Sequence, residues 1–85
     1  MNREEELLVI TMEECGELIQ ACSKVIRSKH QKKYLKNLKE EIGDVILMIH
    51  LLIHHGYVTE DFVEQRMVEK RKKLEKWSKL FDEES

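Results

Sequence analysis

The chain reads as an all-α protein, and three observations predict this. Its 85 residues contain no proline and only three glycines, so little interrupts a helix. Charged residues make up 38%, in a Glu-, Lys-, Leu- and Ile-rich composition that favours long helices with short connections. Apolar residues recur three and four apart through long stretches, the period of a helix with one buried face. A chain this short forms one domain, residues 1–85, and buries a smaller share of its surface than a larger one. The expectation is a three-helix chain that assembles into a helical-bundle oligomer, a homodimer or homotetramer.

The first helix is predicted from Glu4 to Arg27 or Ser28. Acids fill its first turn and Lys24 and Arg27 its last, matching the helix dipole. Its expected core stripe is Leu7, Leu8, Cys15, Leu18, Ile19, Cys22, Val25 and Ile26. The polar stretch Ser28 to Lys32 supplies the first turn. The second helix is predicted over Lys33 to His55 and stops at Gly56, which suits a left-handed residue just past a helix end. Its stripe is Leu35, Leu38, Ile42, Val45, Ile46, Ile49, Leu52 and Ile53, and Leu47, Met48 and Leu51 make its second half apolar nearly all round. Thr59 is the expected N-cap of a third helix that continues to about Leu80, with Glu60 and Asp61 in its first turn. Val63, Met67, Leu74, Trp77 and Phe81 leave one vacant position in a heptad-like pattern, filled by Lys70, with Arg66 one turn earlier on the same side. Lys70 either snorkels or carries its ammonium to an acid or phosphate. Asp82 to Ser85 is expected to form a frayed polar tail.

Two acidic stretches stand out as near copies: Glu13-Glu14-Cys15-Gly16-Glu17 and Glu40-Glu41-Ile42-Gly43-Asp44. Each stacks carboxylates three or four apart on a helix, where like charges repel. Each also carries an interior glycine, roughly 1 kcal/mol worse than alanine in a helix, as if close approach were needed there. On the helical wheel Glu14 and Glu41 lie at the edges of the apolar stripes. Glu17 and Asp44 lie a little further round, whereas Glu13 and Glu40 lie on the far side. Carboxylates converging in a low-dielectric setting need protons or a cation. An all-carboxylate set selects a hard cation, Mg²⁺ with Mn²⁺ as a substitute, over zinc or a helical di-iron centre, since no histidine follows Glu14 or Glu41 at the third position. The plain alternative is a solvated acidic face.

Net charge and cysteine usage exclude other classes. At −2 the chain offers no global electrostatic case for a nucleic acid or an anionic membrane. Its basic stretch from Arg66 to Lys79 suits phosphate held between cations and an acid-bound metal, or forms a solvated face. Cys15 and Cys22 lie two turns apart, roughly 10 Å by helix rise and too far for a disulfide. They read as small core residues of a protein in a reducing, cytoplasmic setting. Met1 is followed by Asn-Arg-Glu-Glu-Glu, which is not a signal sequence, and the apolar run Val45 to Ile53 is too short to span a membrane.

The order E-E-x-x-E, a gap of 23 residues, then E-x-x-D closely resembles the signature of the MazG-like nucleotide pyrophosphohydrolases of the all-α NTP pyrophosphatase superfamily, relatives of dimeric dUTPases and dCTP pyrophosphatases. The resemblance runs from the first helix to Lys73. It implies that Glu14, Glu17, Glu41 and Asp44 are Mg²⁺ ligands, that Glu13 is an auxiliary acid, and that Arg66 and Lys70 contact phosphates, a looser match. It also implies hydrolysis of a (deoxy)nucleoside triphosphate to the monophosphate and pyrophosphate, in nucleotide-pool housekeeping. Glu13 and Glu41 are the candidates to take the proton of the attacking water. Tyr34, Tyr57 and Trp77 are the rings available for stacking a base, or for ordinary packing. The rival readings are a non-catalytic helical adaptor or antitoxin-like module, with the acids as a contact surface, and a ferritin-like redox protein, which the missing histidines disfavour.

Overall fold

The computed structural model describes residues 1–82. It contains α1 (Arg3–Arg27), α2 (Lys32–His54) and α3 (Glu60–Trp77), and no strand among the described residues. The chain divides into two compact units, Met1–His55 and Gly56–Ser85. The first holds the α1–α2 hairpin and the second holds α3.

The helix ends follow local chemistry. Asn2 caps α1 by accepting the Glu5 N–H at 2.8 Å, so the helix begins at Arg3, one residue before the expected start. The turn after Arg27 closes through Lys29 and His30, both at positive φ (55° and 65°), a conformation that costs a residue with a side chain of order 1 kcal/mol or more. The His30 N–H reaches back to the Val25 carbonyl at 2.9 Å and holds that turn. Gly56 adopts φ 81° just past α2, as its position predicted.

The contact between α1 and α2 uses only part of the expected stripes: Leu7, Leu18 and Val25 of α1 and Leu38, Val45 and Leu52 of α2 lie in it, and the polar residues Thr11, Glu14 and Glu41 take positions between them. The inner seam runs through Leu7, Thr11, Glu14, Leu18, Ala21 and Val25 of α1 to Ser28 just past it, and through Tyr34, Leu38, Glu41, Val45, Met48 and Leu52 of α2, all of them buried or half-buried. Both sets alternate in steps of four and three, the spacing of a coiled-coil seam. Within this inner seam Leu7, Ala21, Val25 and Met48 are buried, and Thr11 satisfies its hydroxyl on the Leu7 carbonyl at 2.7 Å. Much of the expected stripe sits one position further round each helix and is exposed. Ile19 is 71% exposed and Ile26 73%, and Leu8, Ile42, Ile46 and Ile49 are exposed as well. Cys15 and Cys22 are exposed free thiols, so the expectation that they are core residues is corrected. Apolar character alone placed them inside, whereas the chain closes its hairpin on the adjacent seam.

In the second unit, Thr59 caps α3 by accepting the Phe62 N–H at 3.1 Å, as predicted. The helix stops at Trp77, three residues short of the expected end, because Ser78 turns extended and its hydroxyl accepts the Leu80 N–H at 3.1 Å. None of its residues is buried. The Arg71 guanidinium lies 4.4 Å over the Phe81 ring, which folds the segment after α3 back onto it. Asp82 lies in a turn, and the rest of the expected tail, residues 83–85, is outside the described residues.

Candidate metal centre

The inner seam positions two carboxylates by the same rule that positions its apolar residues. Glu14 falls between Thr11 and Leu18 on α1, and Glu41 falls between Leu38 and Val45 on α2, so both point into the hairpin instead of lying at a stripe edge. Glu17 and Asp44, each three residues on, lie at the same flank of the seam and stay exposed. One oxygen from each of Glu14, Glu17, Glu41 and Asp44 comes within 4.8 Å of all the others. Four acids that lie in two stretches of the sequence thus form one cluster. It opens to solvent through Glu17 and Asp44.

The cluster is electrostatically unsatisfied. The Oε2 atoms of Glu14 and Glu41 are buried and have no hydrogen-bond partner, an arrangement that is costly for a polar atom and more so for a charged one. The Glu14 carboxyl is held above its ordinary value by burial first, then by the negative charges of Glu17 and Asp44 and by a hydrogen bond with Glu17. Glu41 is raised by burial first, then by a hydrogen bond with Glu17 and by the charges of Glu17, Asp44 and Glu14. Each shift has the same remedy, a positive charge among the four oxygens.

The donor set fits a hard divalent cation. It consists wholly of carboxylate oxygens, with neither the thiolate nor the imidazole that zinc favours. Opposed oxygens around Mg²⁺ lie about 4.2 Å apart, so a cluster drawn within 4.8 Å is near that size.

The other expected site residues fall outside this set. Glu13 and Glu40 are exposed, and Glu40 sits 4.0 Å from Lys36. Glu13 is close enough for its charge to add to the upward shift of Glu14. Arg66 is exposed and pairs with Glu69 at 3.3 Å on its own helix, while Lys70 lines an apolar groove of α3 with Met67, Leu74 and Phe81. Tyr57 and Trp77 are exposed, and Tyr34 is half-buried beside the hairpin turn. The glycines do not serve close approach of α1 to α2: a Cβ built on Gly16 or Gly43 meets nothing within 4 Å.

The family model for the MazG nucleotide pyrophosphohydrolase domain matches residues 2–78. The chain belongs to that family. The match runs through both compact units and includes all four clustered acids, so the MazG domain assigns the chain to the nucleotide pyrophosphohydrolases and to an all-α fold. No curated protein and no solved structure matches the chain. No helix among the described residues of this MazG domain is long and apolar enough to cross a membrane.

Proposed function

We propose that the chain hydrolyses (deoxy)nucleoside triphosphates to the monophosphate and pyrophosphate, with Mg²⁺, or Mn²⁺ in its place, held by Glu14, Glu17, Glu41 and Asp44. The observation that supports this most is the convergence of four carboxylate oxygens within 4.8 Å, together with the buried, unpartnered Oε2 atoms of Glu14 and Glu41. A cation bound there supplies charge for phosphate oxygens and acidity to a water. The protein's own work is then division of labour. Glu14 and Glu41 are fixed by the hairpin seam and hold the centre rigid, as a site on regular helices requires. Glu17 and Asp44 form its solvent-facing side, where a triphosphate arrives. Glu41, in the hairpin seam, and Glu13, on the exposed side of α1, are the two groups proposed to receive the proton of the attacking water. Arg66 and Lys70 are the proposed phosphate contacts.

The hairpin also supports a homo-oligomeric reading. Leu8, Met12, Cys15, Ile19, Cys22 and Ile26 form a second four-and-three series on α1, beside Leu35, Ile42, Ile46, Ile49 and Ile53 on α2. Both series lie on the side of the inner seam away from Glu17 and Asp44. Two copies joined through this outer seam make a four-helix bundle whose acidic clusters remain open, the basis for proposing a homodimer, alone or within a tetramer. The compartment proposed is the cytoplasm, consistent with two free cysteines.

A panel of ribo- and deoxynucleoside triphosphates with Mg²⁺, assayed for pyrophosphate, tests the activity. Release of pyrophosphate from at least one nucleotide, and none after chelation of the metal, is expected. No release from any of them under Mg²⁺ or Mn²⁺ overturns the proposal.

A further inference from the structure

The near-zero net charge conceals a strongly basic end of the hairpin. Between Glu17 and Glu40 the sequence has seven cations and no acid. Lys24 and Arg27 close α1, Lys29 sits in the turn, and four lysines from Lys32 to Lys39 open α2. Among the described residues the only ion pair these cations make is Lys36 with Glu40, at 4.0 Å. The other basic stretch differs, because on α3 Arg66 pairs with Glu69 and Arg71 with Glu75. The first turn of α2 holds Lys32 and Lys33 and no acid, so the positive end of the helix dipole adds to their field instead of offsetting it.

The same end is concave and carries a ring. Lys24, Arg27, Ser28, Gln31 and Tyr34 line a groove of about 430 Å³, and the Lys33 ammonium lies 4.9 Å from the centre of the Tyr34 ring. Cations and an amide are usual partners of phosphate oxygens, and the Tyr34 ring that lines the groove beside the Lys33 ammonium is an aromatic surface of the kind that bases pack against. Lys32 to Lys39 extends about 10 Å along α2, longer than one phosphate group and suited to successive phosphates of a strand. The tip, Ser28 to Lys33, has no apolar side chain to bury in a bilayer, which favours a nucleic acid over a lipid surface.

We propose that the α1–α2 turn is a docking surface for the backbone of single-stranded nucleic acid, independent of the acidic cluster and without sequence preference. Near-zero net charge predicts no such partner; the segregation of charge within the hairpin does.

Fluorescence anisotropy of a labelled single-stranded oligonucleotide with the full chain tests this. With about four phosphates neutralised, affinity is expected to fall about 50-fold between about 50 and 200 mM salt. The triple substitution Lys29→Gln, Lys32→Gln, Lys33→Gln is expected to weaken binding at least tenfold and to flatten the log–log salt slope by about two, with the helical circular dichroism unchanged. Lys72→Gln with Lys73→Gln on α3 is expected to leave affinity within about twofold, as binding through the turn requires. Unchanged affinity in the turn variant, equal loss in the α3 variant, or capture of phosphatidylserine vesicles in place of the oligonucleotide overturns the proposal.

Discussion

The inner and outer seams of the hairpin have the same spacing and lie one residue apart, yet they differ in what they carry. The inner seam includes Thr11, Glu14, Ala21 and Glu41 among its apolar residues, and it is the one the chain closes on itself. The outer seam is the more apolar, with Ile19, Ile26, Ile42 and Ile46, and these residues are exposed. Hydrophobicity therefore does not decide which face a helix buries against its neighbour in the same chain. The comparison also accounts for the acids. A seam that holds two carboxylates is a weak place for association but a rigid place for a cation, whereas the apolar seam is suited to a second copy.

Charging the outer seam separates the two roles most sharply. Ile19→Glu or Ile46→Glu places an acid where the proposed partner copy packs, and burying an unpaired charge there costs several kcal/mol. Sedimentation is expected to show a shift from oligomer to monomer, with the acidic cluster of each chain still formed. An unchanged sedimentation coefficient sets the interface elsewhere.

The inner seam has its own signature in pH. Glu14 and Glu41 have raised carboxyl pKa values in the folded chain, so the fold binds their protons more tightly than the unfolded chain does. Stability of the metal-free protein is therefore expected to rise as pH falls from about 7 toward the ordinary carboxyl value near 4.5, the reverse of what a salt-bridged acid gives. Mg²⁺ is expected to raise the melting temperature more at about pH 7 than at about pH 5, because protons and metal compete for the same oxygens. Thermal scans with and without Mg²⁺ check this, and a flat or inverted profile shows that the cluster does not govern stability.

The smallest expected effect concerns the glycines. Gly16→Ala and Gly43→Ala should each stabilise the chain by up to about 1 kcal/mol in chemical denaturation, since neither Cβ meets a neighbour. Destabilisation that appears only at concentrations where the protein associates places these glycines in the interface between copies.

Much of this was legible in the sequence. Helix positions followed from periodicity, from Thr59 as a cap and from Gly56 as a stop, because each rests on local backbone chemistry. The four acids of the cluster were legible too, since a repeated spacing on two antiparallel helices brings equivalent positions together. The seam itself was legible only in part, through Leu7, Leu18, Val25, Leu38, Val45 and Leu52. Leu8, Ile19 and Ile26 look more buried than Thr11, Glu14 and Ala21, and only a four-and-three count that admits polar residues picks out the inner series. The Asn2 cap went unread, although an asparagine three residues before Glu5 is its sequence signal, and the strained turn through Lys29 and His30 has no glycine to announce it.

Whether the seam acids hold a cation is best measured by calorimetric titration of Mg²⁺ into the wild-type chain and into Glu41→Gln, with helicity monitored in both. Saturable binding by the wild type and affinity at least about tenfold weaker in the variant are expected, alongside full helical signal. Equal affinity in the two chains, or no binding by the wild type, contradicts a metal centre at Glu14, Glu17, Glu41 and Asp44.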